Sequence, residues 1–116
     1  MNYKFAAADM DGTLLNDSNE ITSHTVDVIR RAVSGGLIFS ICTGRPYQGV
    51  ERYQKQLDIS GPVITYNGAM ILDSATGAVL YRQELEPEDA RKILEAGIRY
   101  NTTMCIWSDN KLYGNQ

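Results

Sequence analysis

Residues 5–13 read FAAADMDGT, a short apolar run that ends in two carboxylates, Asp9 and Asp11, with one residue between them. The stretch from Tyr3 to Ala8 predicts a β-strand whose alanines let neighbouring elements approach closely. Two nearby negative charges repel each other unless a positive group lies between them. The end of this strand is therefore a turn, a metal site or a nucleophile.

Helical and strand patterns alternate along the next part of the chain. Thr22 or Ser23 can cap a first helix, because apolar residues recur at helical spacing after them. Residues 37–42 form a near-continuous apolar run, typical of a strand covered on both faces. Pro46 suits the first turn of a second helix, and residues 63–66 predict a third strand. The order β-α-β-α-β predicts a doubly wound, Rossmann-like α/β fold with a parallel sheet.

The pattern changes after the third predicted strand. Residues 70–72 and 79–81 flank a turn and predict a β-hairpin. Glu86-Pro87 begins a predicted helix with acidic residues in its first turn, which favours the helix dipole. Two further strands are expected over residues 102–107 and 112–113. The last part of the chain therefore predicts the start of a separate α/β unit.

Composition and charge exclude several classes of protein. The 116-residue chain has a net charge of -3 and no run of Lys or Arg, so no nucleic-acid partner is expected. No apolar stretch approaches the roughly 20 residues of a membrane span, and the first residues lack the layout of a signal peptide. Cys42 and Cys105 lie far apart, without metal-ligand spacing, and we interpret them as free, buried thiols. A cytoplasmic location is the expectation.

Polar residues follow each of the three predicted parallel strands. The carboxyl ends of such strands meet at one edge of a sheet, where ligands bind. This edge would carry Asp9 and Asp11, Thr43-Gly44-Arg45 and Asn67-Gly68. A carboxylate, a hydroxyl, free backbone N–H groups and an Arg together suit a phosphoryl group.

The carboxylates suit covalent catalysis. Asp9 is the candidate nucleophile at phosphorus, and Asp11 is the candidate acid and base for the leaving oxygen and for water. Gly12 lets the backbone wrap closely around the transferred group. Mg²⁺ between Asp9 and the phosphate would relieve the charge repulsion. Thr43 and nearby N–H groups would hold phosphate oxygens.

Each motif also has a purely structural interpretation. Asp-Gly favours a surface turn by itself, and Asn67-Gly68 does the same. Thr43 can cap a helix, and Arg45 can be a solvated surface charge. The functional interpretation depends on the convergence of the motifs.

The motifs in combination resemble one enzyme superfamily. Residues 9–15, DMDGTLL, resemble the first motif (DxDGT) of the haloacid dehalogenase (HAD) superfamily. Residues 41–45, ICTGR, resemble its second motif in the Cof-type sugar and nucleotide phosphatase branch. Residues 66–69, YNGA, resemble the entry into that branch's α/β cap. The resemblance implies a Mg²⁺-dependent phosphatase that forms an aspartyl phosphate and acts on a small phosphorylated metabolite.

The resemblance also implies roles for individual residues. Asp9 corresponds to the nucleophile and a Mg²⁺ ligand, and Asp11 to the acid and base, which also gives Mg²⁺ its backbone carbonyl. Thr43 corresponds to the phosphate-binding hydroxyl. Gly12, Gly44, Arg45 and Asn67 complete the implied phosphate and substrate pocket.

The same resemblance divides the chain in two. Residues 1–84 would be the N-terminal half of the HAD-like core with its two motifs, and residues 85–116 the beginning of the cap.

The sequence departs from the family in its later part. Similar proteins supply a Lys and a GDxxxD motif after the cap. The lysines here do not match that context, and no Gly-Asp pair occurs. We therefore expect an N-terminal fragment, or a chain that is completed by a missing C-terminal segment or a second chain. Its first strand would then lie at a sheet edge, and Mg²⁺ would bind weakly.

Other functions use part of the same pattern. A phosphomutase or phosphotransferase would use the same first half, and the sequence does not distinguish them from a phosphatase. A receiver-type signalling domain needs an acceptor Asp after its third strand, where this chain has Tyr66-Asn67. A non-catalytic fragment or binding module is a third class. Neither the substrate nor the oligomeric state can be read from the sequence.

Overall fold

The chain folds into two compact units, Met1–Gln83 and Glu84–Gln116. The computed structural model describes residues 2–109 and 111–115. Each unit has its own sheet.

The first unit is built on a five-stranded sheet with the order β1-β2-β3-β4-β5. The strands are β1 (Phe5–Asp9), β2 (Ile38–Cys42), β3 (Pro62–Thr65), β4 (Met70–Asp73) and β5 (Val79–Arg82). The first three strands are parallel, and the β4–β5 hairpin continues the same sheet in antiparallel pairing. The α/β prediction is confirmed, and among the described strands β1 lies at an edge, as expected.

Two helices connect the parallel strands. Helix α1 (Ser23–Ser34) is capped by Thr22, whose Oγ1 accepts a hydrogen bond from the Thr25 N–H at 3.2 Å. Helix α2 (Glu51–Leu57) ends at Asp58, which has a left-handed backbone. The prediction that Pro46 begins this helix is wrong.

Pro46 has an extended backbone and precedes a separate short turn, Tyr47–Gly49. The carbonyl of Pro46 accepts the Gly49 N–H at 2.9 Å and closes that turn. The helix itself begins only at Glu51.

The core of the first unit lies on one face of the sheet. Because β1, β2 and β3 follow one another in the same direction across the sheet, right-handed crossovers place both helices on that face. Alternate strand residues pack there against the helices, which contact each other. The buried apolar residues include Phe39, Ile41, Val63 and Leu72 from the strands and Val26, Ile29, Tyr53 and Leu57 from the helices.

The opposite face of the sheet is more open. Phe5 and Ile38 are paired neighbours there, and both are about half exposed. The prediction that this strand is covered on both faces is confirmed in the middle of β2, where Phe39, Ser40 and Ile41 are all buried, but it is wrong at Ile38.

The second unit is a helix with a two-stranded sheet. Helix α3 (Pro87–Arg99) precedes the antiparallel strands β6 (Cys105–Ser108) and β7 (Lys111–Gly114). Gly97 of α3 lies against Met104, where a Cβ would come within 2.0 Å of the Met104 sulfur. Helix α3 therefore packs closely against the residue that precedes β6.

The two cysteines are free, one in each unit. Cys42 is half-buried, but Cys105 is exposed, so the expectation of burial is wrong for Cys105. No helix among residues 2–109 and 111–115 has the length and apolar character to cross a bilayer.

Leu57 offers a test of the core of the first unit, because its side chain is completely buried. Leu57→Ala should lower the free energy of unfolding by about 2–5 kcal/mol, since it removes apolar contacts and leaves a cavity. Urea unfolding followed by circular dichroism measures this change. Leu80→Ala is the control, because Leu80 is 59% exposed. Equal effects of the two substitutions would contradict the described core.

Candidate active site at the strand ends

The loop after β1 is fixed at both ends by buried apolar side chains. Met10 and Leu15 are buried, and the Leu15 N–H donates to the Met10 carbonyl at 2.9 Å. Gly12 has φ of 76°, a left-handed conformation that suits glycine. The chain between the two anchors therefore turns tightly, with Asp9 and Asp11 exposed on either side of Met10.

The end of β2 presents hydrogen-bond donors. Thr43 is buried, and its N–H donates to the Ile64 carbonyl at 2.9 Å, which holds it to β3. Thr43 Oγ1 accepts the Arg45 N–H at 3.2 Å. Because the hydroxyl oxygen is the acceptor in this contact, its own hydrogen is left to donate elsewhere.

An ion pair joins the ends of β1 and β2. Arg45 donates from Nε to Asp11 Oδ2 at 2.9 Å and from Nη2 to Asp11 Oδ1. This forked contact is the geometry that a guanidinium and a carboxylate favour. The hydrogen bond to Asp11 raises the pKa of Arg45 above its usual value. Arg45 therefore offsets the negative charge of Asp11, one of the two carboxylates at the end of β1.

The end of β3 is bonded to the same loop. The Asn67 N–H donates to the Thr43 carbonyl at 3.0 Å, and the Tyr66 N–H donates to the Arg45 carbonyl at 3.2 Å. Burial raises the pKa of the Tyr66 hydroxyl. The structure thus joins four of the predicted site residues, Asp11, Thr43, Arg45 and Asn67, in one hydrogen-bonded network, and Gly44 lies within it beside the Asn67 amide.

Asp9 belongs to the same edge through the strand register. It is paired with Cys42, the residue before Thr43, and Cys42 is paired with Ile64. Thr13, for which no role was predicted, places its hydroxyl 3.5 Å from Asp9 Oδ2. The sequence signal for Thr13 was its place in the DxDGT pattern.

The donor set suits part of a Mg²⁺ site. Hard oxygen ligands are what Mg²⁺ prefers, and it usually takes only one or two carboxylates beside water and phosphate. The Asp9 carboxylate and the Asp11 carbonyl supply such oxygens, while Arg45 occupies the Asp11 carboxylate. No cluster of three or more His, Cys, Asp or Glu groups is found among the described residues.

A separate open cleft of about 350 Å³ lies between the segment before α1 and helix α2. Its lining residues are Asn19, Glu20, Ile21, Arg52, Tyr53 and Gln56. None of them is a predicted site residue, but Tyr53 of this lining also interacts with Arg45 of the strand-end network.

Comparison with known proteins identifies the class. The haloacid dehalogenase-like hydrolase family matches residues 6–116, which include both motifs and the second unit. The chain belongs to this family.

Individual relatives are consistent with this assignment. The chain is 36% identical to YxeH of Bacillus subtilis over 114 residues, which are 96% of this chain and 42% of YxeH. It is 40% identical to the 5-amino-6-(5-phospho-D-ribitylamino)uracil phosphatase YwtE of B. subtilis over 110 residues, 94% of this chain and 37% of YwtE. The chain thus spans about two fifths of these relatives' lengths.

Solved structures share the fold. A haloacid dehalogenase-like hydrolase from B. subtilis matches with a TM-score of 0.87 and 28% identity, over 97% of this chain and 39% of that one. A likeness this close over nearly the whole chain confirms the predicted HAD-like architecture.

The Arg45–Asp11 pair offers a test of how the site is held. Its side chains are 34% and 52% exposed, so a double-mutant cycle of Arg45→Gln and Asp11→Asn should give a coupling of about 0.2–1 kcal/mol. Urea unfolding at low and high salt measures it, and salt should weaken it. The exposed Lys55–Glu51 pair serves as the matched control. A coupling above about 2 kcal/mol that is insensitive to salt would contradict the exposed geometry.

Proposed function

We propose that the protein containing this chain is a Mg²⁺-dependent phosphatase that hydrolyses a small phosphorylated metabolite through an aspartyl phosphate on Asp9. The observation that supports this most strongly is the bonded network of motif residues at the ends of β1, β2 and β3. In this proposal the first unit is part of the HAD-like core, and the second unit is the beginning of the cap.

The binding step uses donors at the end of β2. The Thr43 hydroxyl keeps its hydrogen free because its oxygen already accepts the Arg45 N–H. Within the described residues the exposed Gly44 N–H has no hydrogen-bond acceptor. Both groups suit the oxygens of a phosphate, which accept hydrogen bonds and carry negative charge.

The first chemical step forms a bond between Asp9 and phosphorus. A carboxylate oxygen of Asp9 attacks, the bond from phosphorus to the ester oxygen breaks, and Asp11 gives that oxygen a proton. The product is an alcohol and an aspartyl phosphate.

The second step removes the phosphoryl group. Asp11 takes a proton from water, the water oxygen attacks phosphorus, and the acyl phosphate bond breaks to release phosphate and the Asp9 carboxylate. Arg45 bonds both oxygens of Asp11 in the structure, so this contact must open before Asp11 can exchange a proton with substrate or water.

Mg²⁺, when bound, would offset the negative charge of the phosphate beside the Asp9 carboxylate. The Asp9 carboxylate and the Asp11 backbone carbonyl are the groups of this chain that would hold it.

The substrate class rests on the relatives. YwtE is named as a phosphatase of a phosphorylated ribitylaminouracil, and a relative from Serratia proteamaculans as an HMP-PP phosphatase. A small phosphate ester in the cytoplasm is the matching proposal for this chain.

Substitution of Asp9 tests the nucleophile. In the gene product that contains this chain, Asp9→Asn should abolish Mg²⁺-dependent release of phosphate from p-nitrophenyl phosphate, because an amide is a poor nucleophile. Asp17→Asn is the matched control, since Asp17 is an exposed carboxylate after the same loop. Removal of Mg²⁺ with a chelator should stop phosphate release by the unaltered protein. An active Asp9→Asn variant, or hydrolysis without metal, would contradict the proposal.

Substitution of Asp11 tests the second step separately. A nitrophenolate leaves without a proton, so Asp11→Asn should still form the aspartyl phosphate but hydrolyse it slowly. Mass spectrometry of acid-quenched protein should then find a phosphoryl group on the peptide that contains Asp9. A phosphoryl group on another residue would contradict the assignment of Asp9.

A further inference from the structure

Three consecutive residues after β3 have left-handed backbones. Tyr66, Asn67 and Gly68 have φ values of 51°, 56° and 94°. This conformation is free of strain for glycine and tolerated by asparagine, but it is unusual for an aromatic residue. Such residues persist where the surrounding structure holds them, and they cluster at functional sites.

The contacts of this turn point to the loop after β2. Asn67 and Tyr66 donate their backbone N–H groups to the carbonyls of Thr43 and Arg45, at 3.0 and 3.2 Å. The Tyr66 N–H follows the extended Thr65, whereas the left-handed backbone of Tyr66 turns the next N–H, that of Asn67, out of line with β3. The turn therefore holds the loop at two of its three carbonyls.

The hydrogen bond that holds the Thr43 carbonyl also sets the direction of the next N–H group, that of Gly44. In a trans peptide the C=O and the following N–H point in opposite directions. Because the Thr43 carbonyl faces the Asn67 N–H, the N–H of Gly44 is directed away from the turn. That N–H is one of the donors assigned above to phosphate.

The side chain of Asn67 explains the glycine in this loop. Gly44 does not have a positive φ, so its backbone does not require glycine. A Cβ on Gly44 would lie 2.8 Å from Asn67 Oδ1 and 3.3 Å from Asn67 Cγ. The amide of Asn67 thus occupies the space that a side chain at position 44 would need.

We propose that Asn67 is a positioning residue, which holds Thr43-Gly44-Arg45 in the shape that accepts phosphate through its N–H bonded to the Thr43 carbonyl and its amide packed on Gly44. The left-handed backbone of Asn67 sets the direction of the amide relative to that N–H. This role rests on the proposed phosphatase function and differs from a direct contact between Asn67 and substrate. A loop that keeps its binding shape for only about a tenth of the time binds about tenfold more weakly.

The backbone part of the role is tested by binding of inorganic phosphate in the presence of Mg²⁺, measured by calorimetry on the gene product that contains this chain. Asn67→Val should weaken phosphate binding about tenfold, because a β-branched residue disfavours the left-handed conformation. Asp58→Val is the matched control, since Asp58 has φ of 53° in the same unit and its backbone N–H bonds to Gln54 and Lys55 of α2 rather than to this loop. It should lower the melting temperature similarly and leave phosphate affinity unchanged.

The side-chain part is tested with Gly44→Ala and Asn67→Gly, both of which the local backbone tolerates. Each should weaken phosphate binding, because Gly44→Ala displaces the side-chain amide of Asn67 and Asn67→Gly removes it. The double variant should be no weaker than Gly44→Ala alone, since the same contact is lost only once.

Different experimental outcomes would contradict the proposed phosphatase function and the positioning role of Asn67. If the unaltered protein does not bind phosphate, the proposed function is wrong and this role with it. If the unaltered protein binds phosphate but Asn67→Val and Asp58→Val bind it equally well, only the positioning role is overturned. Additive losses in the double variant would likewise overturn the packing of Asn67 on Gly44.

Discussion

The parallel register of β1, β2 and β3 is the constraint on which the site depends. Asp9 is level with Cys42, and Cys42 is level with Ile64, so the three strands finish at one edge of the sheet. Parallel pairing requires crossovers, and α1 and α2 supply them on the face that carries the core. A shift of one residue would move each strand's apolar residues to the other face, so the core and the site are fixed together.

The site is held mainly by backbone hydrogen bonds between loops. Thr43 is bonded to the residues after β3, and Arg45 links the loop after β1 to the loop after β2. Buried side chains anchor these loops at Met10 and Leu15, while the polar groups between them stay exposed. Rigid support with exposed donors is what a site for a solvated anion requires, since little must reorganise on binding.

The sequence predicted the fold well, because the fold depends on local patterns. It also predicted that the candidate site residues follow the parallel strands, and the structure brings those residues close together. Apolar runs predicted strands β1 to β5, and helical spacing predicted helix α1. Most of the predicted strand ends lie within two residues of the observed ends. The Arg45–Asp11 pair and the left-handed Tyr66 were not predicted, because they depend on how loops distant in sequence meet. The prediction for Pro46 was wrong because the proline ring fixes only φ, and the same φ occurs in helices and in extended backbone such as that of Pro46.

We propose that the three strand ends together form one site for a phosphoryl group. The most direct test is a crystal structure of the gene product that contains this chain, grown with Mg²⁺ and beryllium fluoride, which mimics a phosphoryl group on a carboxylate. We expect beryllium to be bonded to an Asp9 carboxylate oxygen, with fluorines within hydrogen-bond distance of the Thr43 hydroxyl and the Gly44 N–H. Beryllium fluoride on another residue, or in the cleft beside Arg52, would contradict it.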